Sequence, residues 1–254
     1  MFSIPQVMNS IRMNQFIQKC LCALLFVLLQ GSAHADDGLI SLFAYSGYLT
    51  TPSAYIKDGR LGFHYSYLPN DVSIYYKGVS DNRIFSASFG FFPFMECYFS
   101  VYVAPSVKWI YNYGSIKTRS PGVKFKILNE RKYVPAVALG IFDPNIKKIG
   151  ADFSVSNISS TFLVLSKKFP FRQSSVSIGY GVNSLKGRWA RLVGVFGGIN
   201  IHLSKNISLV VDYDTKEWSK GISAVWYGFD TIIGIIDGAS PAYRIGYNFN
   251  LLNK

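Results

Sequence analysis

The side chains able to do chemistry in this chain are few. His64 is followed by Ser66 and His202 by Ser204, each at i+2, and an imidazole that takes a serine proton is the start of an acyl-transfer site. Residues i and i+2 of one strand share a face but stand in parallel, so this spacing alone does not lay a serine oxygen against the ring. No third orienting group accompanies either pair. The chain is therefore read as a non-enzyme with no catalytic residue; the alternative is a lipid- or lipopolysaccharide-modifying barrel enzyme working through His64 or His202. Two histidines without a Cys or carboxylate cluster also fall short of a metal site, and no cofactor is expected.

A second group is charged. Lys77, Lys124, Lys126, Asp212, Asp214 and Arg244 fall on the small, polar side of alternating segments, the side that faces the lumen in a closed barrel. Stranded charge in a dry interior is costly, so these ligand-binding candidates either pair across the lumen or line a wet path for an anionic sugar. Pairing is the simpler expectation.

Strands must position them. In Ala242–Leu251, Tyr243, Ile245, Tyr247, Phe249 and Leu251 alternate with Arg244, Gly246, Asn248 and Asn250, over the roughly 9–11 residues a tilted strand needs to cross hydrocarbon. Leu61, Phe63, Tyr65 and Tyr67 likewise oppose Arg60, Gly62, His64 and Ser66, and Val176, Ile178, Tyr180 and Val182 oppose Ser175, Ser177, Gly179 and Gly181. Strands are expected near 60–68, 72–79, 83–92, 97–105, 120–129, 134–143, 151–156, 160–168, 174–183, 191–203, 207–217, 221–228, 230–237 and 242–251. Of these, 151–156 and 230–237 are weak enough to be parts of neighbours. A sheet with one face in water would load its minor face with long charged residues, whereas here that face is mostly Gly and Ser, as in a narrow lumen. The expected fold is all-β: an antiparallel transmembrane β-barrel of about 12 strands, with 10–14 as the range. A secreted β-sandwich that binds an acidic glycan is the alternative.

Arg12 and Lys19, the apolar run Cys20–Leu29 and the Gly-Ser-Ala-His-Ala before Asp36-Asp37 read as a secretory leader cut after Ala35. The expected organisation is a signal peptide at 1–35 and one barrel at 37–254. No later run reaches the roughly 18 apolar residues of a membrane helix. Only Cys97 remains after cleavage, so no disulfide can form within the mature chain. The whole chain carries 26 basic and 14 acidic residues, a formal net charge of +12. An exported chain without nucleic-acid-binding motifs excludes nucleic acid as the partner; lipopolysaccharide phosphates or an anionic polysaccharide fit better. Arg131-Lys132, Lys147-Lys148 and Lys167-Lys168 are expected at turns. Pro52 in Thr50-Thr51-Pro52-Ser53-Ala54-Tyr55 marks a strand border, a turn that seats the first strand, and Gly197-Gly198 marks a bend or a close contact with Phe196.

Four segments in order carry a resemblance. GYLTTPSAYIKDGRLGFHYSY (Gly47–Tyr67), RSPGVKFKIL (Arg119–Leu128), VPAVALGIFDP (Val134–Pro144) and FGGINIHLSKNISLVVDYD (Phe196–Asp214) resemble the N-terminal barrel portion of the YjbH-type exopolysaccharide-associated outer-membrane proteins, whose full-length members are much longer. The resemblance implies a barrel in the outer membrane of a Gram-negative cell, tied to production or export of an exopolysaccharide or capsule, with periplasmic export proteins as partners. It carries over no catalytic residue. Arg244-x-Gly246-x-x-Phe249-x-Leu251 also resembles the signal read by the barrel-assembly machinery, with Leu252–Lys254 trailing it.

Overall fold

A computed structural model describes residues 39–73, 80–108, 113–144, 148–149, 153–154, 159–169, 174–184, 190–238 and 240–252. The leader and Lys77 lie outside them. Where side chains alternate in size and polarity the backbone is extended, giving β1 (Arg60–Leu68), β2 (Asn82–Phe92), β3 (Met95–Lys108), β4 (Tyr113–Leu128), β5 (Ala136–Phe142), β6 (Lys148–Ile149), β7 (Phe153–Ser154), β8 (Ser160–Lys168), β9 (Ser175–Val182), β10 (Gly194–His202), β11 (Ile207–Tyr213), β12 (Trp218–Trp226), β13 (Phe229–Ile236) and β14 (Pro241–Asn250). All but β6 and β7 form one closed antiparallel barrel of twelve strands. β1 closes it on β14, in register from Arg60–Asn250 to Tyr67–Tyr243.

The expected strands match this list with three instructive differences. Most of 72–79 lies outside the described residues, and Val72 and Ser73 belong to the β1–β2 connection. Of the weak segment 151–156 the described residues are β7, which pairs with β6 apart from the barrel, whereas the equally weak 230–237 is a full barrel strand. β4 begins well before the expected Ser120 because its outward positions there are the exposed Lys117 and Arg119, which erase the apolar alternation. That stretch pairs with β3 alone.

The barrel is inverted relative to a water-soluble sheet. On β1 the polar or small set Arg60, Gly62, His64 and Ser66 is the buried one, while Phe63 is 53% exposed. Each of the twelve strands turns a large apolar side chain outward, among them Phe85, Leu163, Ile178, Ile222, Ile233 and Ile245. Connections at the end where β1 begins are short (93–94, 129–135, 169–174, 203–206, 227–228), and those at the opposite end include the longer 69–81, 143–159 and 183–193. The 227–228 turn places both Tyr227 (φ 45°) and Gly228 (φ 86°) in the left-handed region, the geometry that matches the twist of a two-residue hairpin.

Inward aromatic rings lie flat along the wall over glycines. Tyr98 faces Gly122, Phe162 faces Gly140 and Phe196 faces Gly179 as register partners on neighbouring strands. A Cβ on those glycines would stand 2.1, 2.2 and 2.2 Å from the respective rings. The notches keep the rings off the barrel axis. Gly140→Ala is expected to overpack this joint and lower stability by roughly 1–3 kcal/mol, read as a lower urea midpoint that Phe162→Leu in the same chain partly restores. An unchanged midpoint in the single variant would show that the notch has slack.

Candidate functional site

The axis is filled by the chain itself. Every residue from Leu39 to Ala54, just ahead of β1, is buried, and this segment forms a plug inside the lumen. It folds back through Leu42 N to Leu49 O (2.9 Å), Gly47 N to Leu39 O (2.8 Å) and Tyr48 N to Thr51 O (2.8 Å), with a left-handed residue at Ala44 (φ 74°) making the first turn. Tyr45 locks the fold by donating its hydroxyl to the Thr50 carbonyl at 2.5 Å. The Thr50–Tyr55 stretch, expected as a turn at a strand border, is therefore part of this plug.

Three sets of wall residues hold it. Glu96 on β3 accepts from the Ser46 amide (3.0 Å) and hydroxyl (2.6 Å), and pairs with Arg60 (2.8 Å) and Lys124 (2.9 Å). Lys124 on β4 also donates to the carbonyls of Ser46 (3.0 Å), Ser53 (2.9 Å) and Tyr55 (3.1 Å). All three charged groups are at most 1% exposed, so each is stabilised by partners rather than by water. Asp212 on β11 takes the Thr50 and Thr51 amides at 2.6 and 2.8 Å and both threonine hydroxyls at 3.1 Å, charge-assisted bonds of the stronger kind. On a third side, the Tyr48 hydroxyl meets Ser177 (2.7 Å) and the Ala54 amide donates to Ser166 (2.7 Å). Tyr48 also rests on Gly198, where a Cβ would stand 2.6 Å from its ring, and Leu49 rests on Gly234 at 2.5 Å.

The two ends of the plug are tied to the rims. At the rim with the longer loops, Phe43 and Tyr45 pack edge-on against Phe142 at 6.3 and 5.5 Å. The Arg191 guanidinium stands 4.5 Å from the Phe43 ring centre and forms an ion pair with Asp214. At the other rim, Tyr55 donates to Glu130 Oε2 at 2.7 Å, and Glu130 Oε1 takes the Lys168 amide at 3.0 Å and pairs with Lys167 at 3.0 Å. Burial raises the Glu130 carboxyl, but the Tyr55 bond, the Lys168 amide and Lys167 outweigh it and hold the group below its usual range.

Among the candidates named from sequence, Lys124 and Asp212 meet on the plug, Asp214 pairs with Arg191, and Arg244 pairs with Asp230 at 2.8 Å. Lys126 is half-buried near the β1 end, within electrostatic reach of Asp58 and Lys168. Sequence reasoning missed the plug and its two other anchors. Glu96 falls one residue before the expected strand at 97–105, and Arg60 was seen on the inward face without a role; the alternation of Glu96, Tyr98 and Ser100 was the signal that could have found the former. Neither histidine meets its i+2 serine: His64 stands 3.3 Å from Asn248 and 4.0 Å from Asp230, and Ser204 caps its own turn. His202 instead has Nδ1 2.7 Å from Ser208 Oγ across the β10–β11 hairpin, and its Nε2 lies 3.2 Å from the Asn200 amide nitrogen. The His202 ring is thus held on both nitrogens inside the lumen, against Ser208 and Asn200 and away from Ser204.

These features define a closed β-barrel whose lumen is occupied by its own chain. The chain belongs to the YjbH family: the family model, described as exopolysaccharide biosynthesis protein YbjH, matches residues 40–226, which takes in the plug and the strands through β12. No curated protein matches it.

Glu96→Ala leaves Arg60 and Lys124 buried without their carboxylate and is expected to cost roughly 3–5 kcal/mol. In planar bilayers the wild-type protein should carry no steady current and Glu96→Ala should show openings; a wide steady conductance in the wild type would contradict the filled lumen. The Glu130 latch, whose folded carboxyl is held low, contributes fully above pH 4.5 and is lost as pH falls below that. Amide-exchange protection at residues 55–57 should therefore hold down to about pH 5 and drop by about pH 3, and Glu130→Gln should abolish the difference.

Proposed function

We propose that this chain is a non-enzymatic outer-membrane barrel of a Gram-negative cell, exported with removal of its leader and acting in the production or export of an exopolysaccharide or capsule. The observation that carries the reading is the outward apolar belt, with a large exposed apolar side chain on every barrel strand. A water-soluble monomer rarely exposes a continuous patch of that extent. Aromatic clusters at both rims support it: Tyr67 stacks on Tyr243 at 5.3 Å and Tyr213 lies 5.1 Å from Trp218 at one, while Phe92 stacks on Phe94 at 5.2 Å and Phe229 lies 4.7 Å from Tyr247 at the other. Such rings favour the interface between hydrocarbon and water. Short turns mark the periplasmic side of such barrels, which supports a periplasmic position for the β1 end. Family membership supplies the polysaccharide, and the barrel-assembly machinery inserts the closed sheet.

The lipid-modifying enzyme is the competing reading because His202 and Ser208 are in contact, although both are buried in the lumen, away from any lipid. Sarkosyl fractionation with electrophoresis of boiled and unboiled samples tests the location: an outer-membrane band that shifts on boiling is expected, and a soluble, unshifted band would sink the proposal. In a deletion strain with reduced exopolysaccharide, Ser208→Ala should restore yield as fully as the wild type. Failure of that folded variant to restore it would revive the enzyme.

A further inference from the structure

The formal charge of the barrel is unevenly placed. At the β1 end, the β4–β5 turn and the end of β8 bring Lys126, Arg131, Lys132, Lys167 and Lys168 together, because β5 pairs with β8 from Ala136–Ser166 onward and Lys167 donates to the Arg131 carbonyl. Glu130 pairs with Lys167, and Asp58 stands within electrostatic reach of Lys126. At the opposite rim the signs are mixed, with Arg83 3.3 Å from Asp81 and Arg191 on Asp214.

Two rings are set among the cations. Lys168 stands 5.1 Å from the Tyr55 ring centre and Lys132 5.2 Å from that of Tyr133. Tyr133 is 84% exposed at the tip of its turn. Tyrosine faces stack on the C–H face of a pyranose, and spaced ammonium and guanidinium groups pair with carboxylates repeated along a chain. A lipid headgroup layer or an acidic protein would draw on the same cations; the Tyr133 ring, projecting at the turn tip beside them, adds the flat apolar face on which a sugar ring stacks.

From this we infer that the β4–β5 turn and the end of β8 form a docking site for an anionic, carboxylate-bearing polysaccharide. The site rests on the outer-membrane reading for its periplasmic position, where it faces away from lipopolysaccharide. It lies at the rim, outside the plugged lumen, and the polymer meets the protein beside the point at which the plug leaves the barrel at Tyr55.

Polygalacturonate oligomers are the probe, with neutral dextran as comparator and the full-length mature protein in nanodiscs of zwitterionic lipid. Arg131→Glu/Lys132→Glu should weaken polygalacturonate binding by about tenfold or more and Tyr133→Ala by about threefold, with added salt eroding the wild-type affinity. Lys117→Glu/Lys216→Glu at the opposite rim should leave it unchanged, and dextran should not bind. Absence of saturable polygalacturonate binding, equal loss in the opposite-rim variant, or no loss in the turn variant would each overturn the site. It would also be overturned if the turn cations govern binding to phosphatidylglycerol vesicles but not to the glycan. All variants are first checked for the heat-modifiable band, so a folded outer-membrane barrel that ignores the glycan removes this site while leaving the proposed function standing.

Discussion

The Glu96 carboxylate, shared by Arg60, Lys124 and the Ser46 amide and hydroxyl, is the constraint on which the interior depends. An ion inside a narrow barrel has lost its water, and only fixed partners can replace it. Strand pairing sets Arg60 on β1, Glu96 on β3 and Lys124 on β4 around the lumen, but their charges leave an excess of positive charge. The plug completes the site by giving Lys124 three carbonyls and Glu96 an amide and a hydroxyl. Wall and plug are therefore each unsatisfied without the other. This mutual requirement fixes the path of a short segment that has no strands of its own beyond two isolated bridges.

The rest of the wall is shaped around the same occupant. Gly198 and Gly234 are hollows for Tyr48 and Leu49, and the ring-over-glycine joints lay Tyr98, Phe162 and Phe196 against the wall so that the axis stays available. Asp212 on the far side of the lumen anchors Thr50 and Thr51, and Ser166 and Ser177 hold Ala54 and Tyr48, so the plug is held from three directions. Moving it would separate several charge-assisted bonds at once. Any opening of this lumen thus depends on something that replaces those bonds, whether water, another part of the chain or a ligand.

A filled lumen also changes what a barrel in an exopolysaccharide biosynthesis family can contribute. Glu96, Arg60, Lys124 and Asp212 are committed to holding the plug and Arg244 to Asp230, which turns attention to the rims and connecting turns as the open surfaces. Among the described residues a basic β1 end and a charge-mixed opposite end make the two rims chemically distinct.

The sequence by itself determined the class of fold. Period-two alternation with bulky apolar residues on one side and Gly, Ser and a few charges on the other survives in almost every strand, because each position reports only which face it occupies. It failed at Lys117 and Arg119, where β4 runs past the apolar belt, and at Phe153–Ser154, which pair with β6 outside the barrel. Lys124, Asp212, Asp214 and Arg244 were legible as inward charges, yet their partners were not, since Glu96, Arg191 and Asp230 are brought to them by register and closure rather than by spacing along the chain. The plug was decided by tertiary structure alone. Leu39–Ala54 has neither strand nor helix periodicity, and its conformation comes from carboxylates and an ammonium group that only the closed barrel gathers around it.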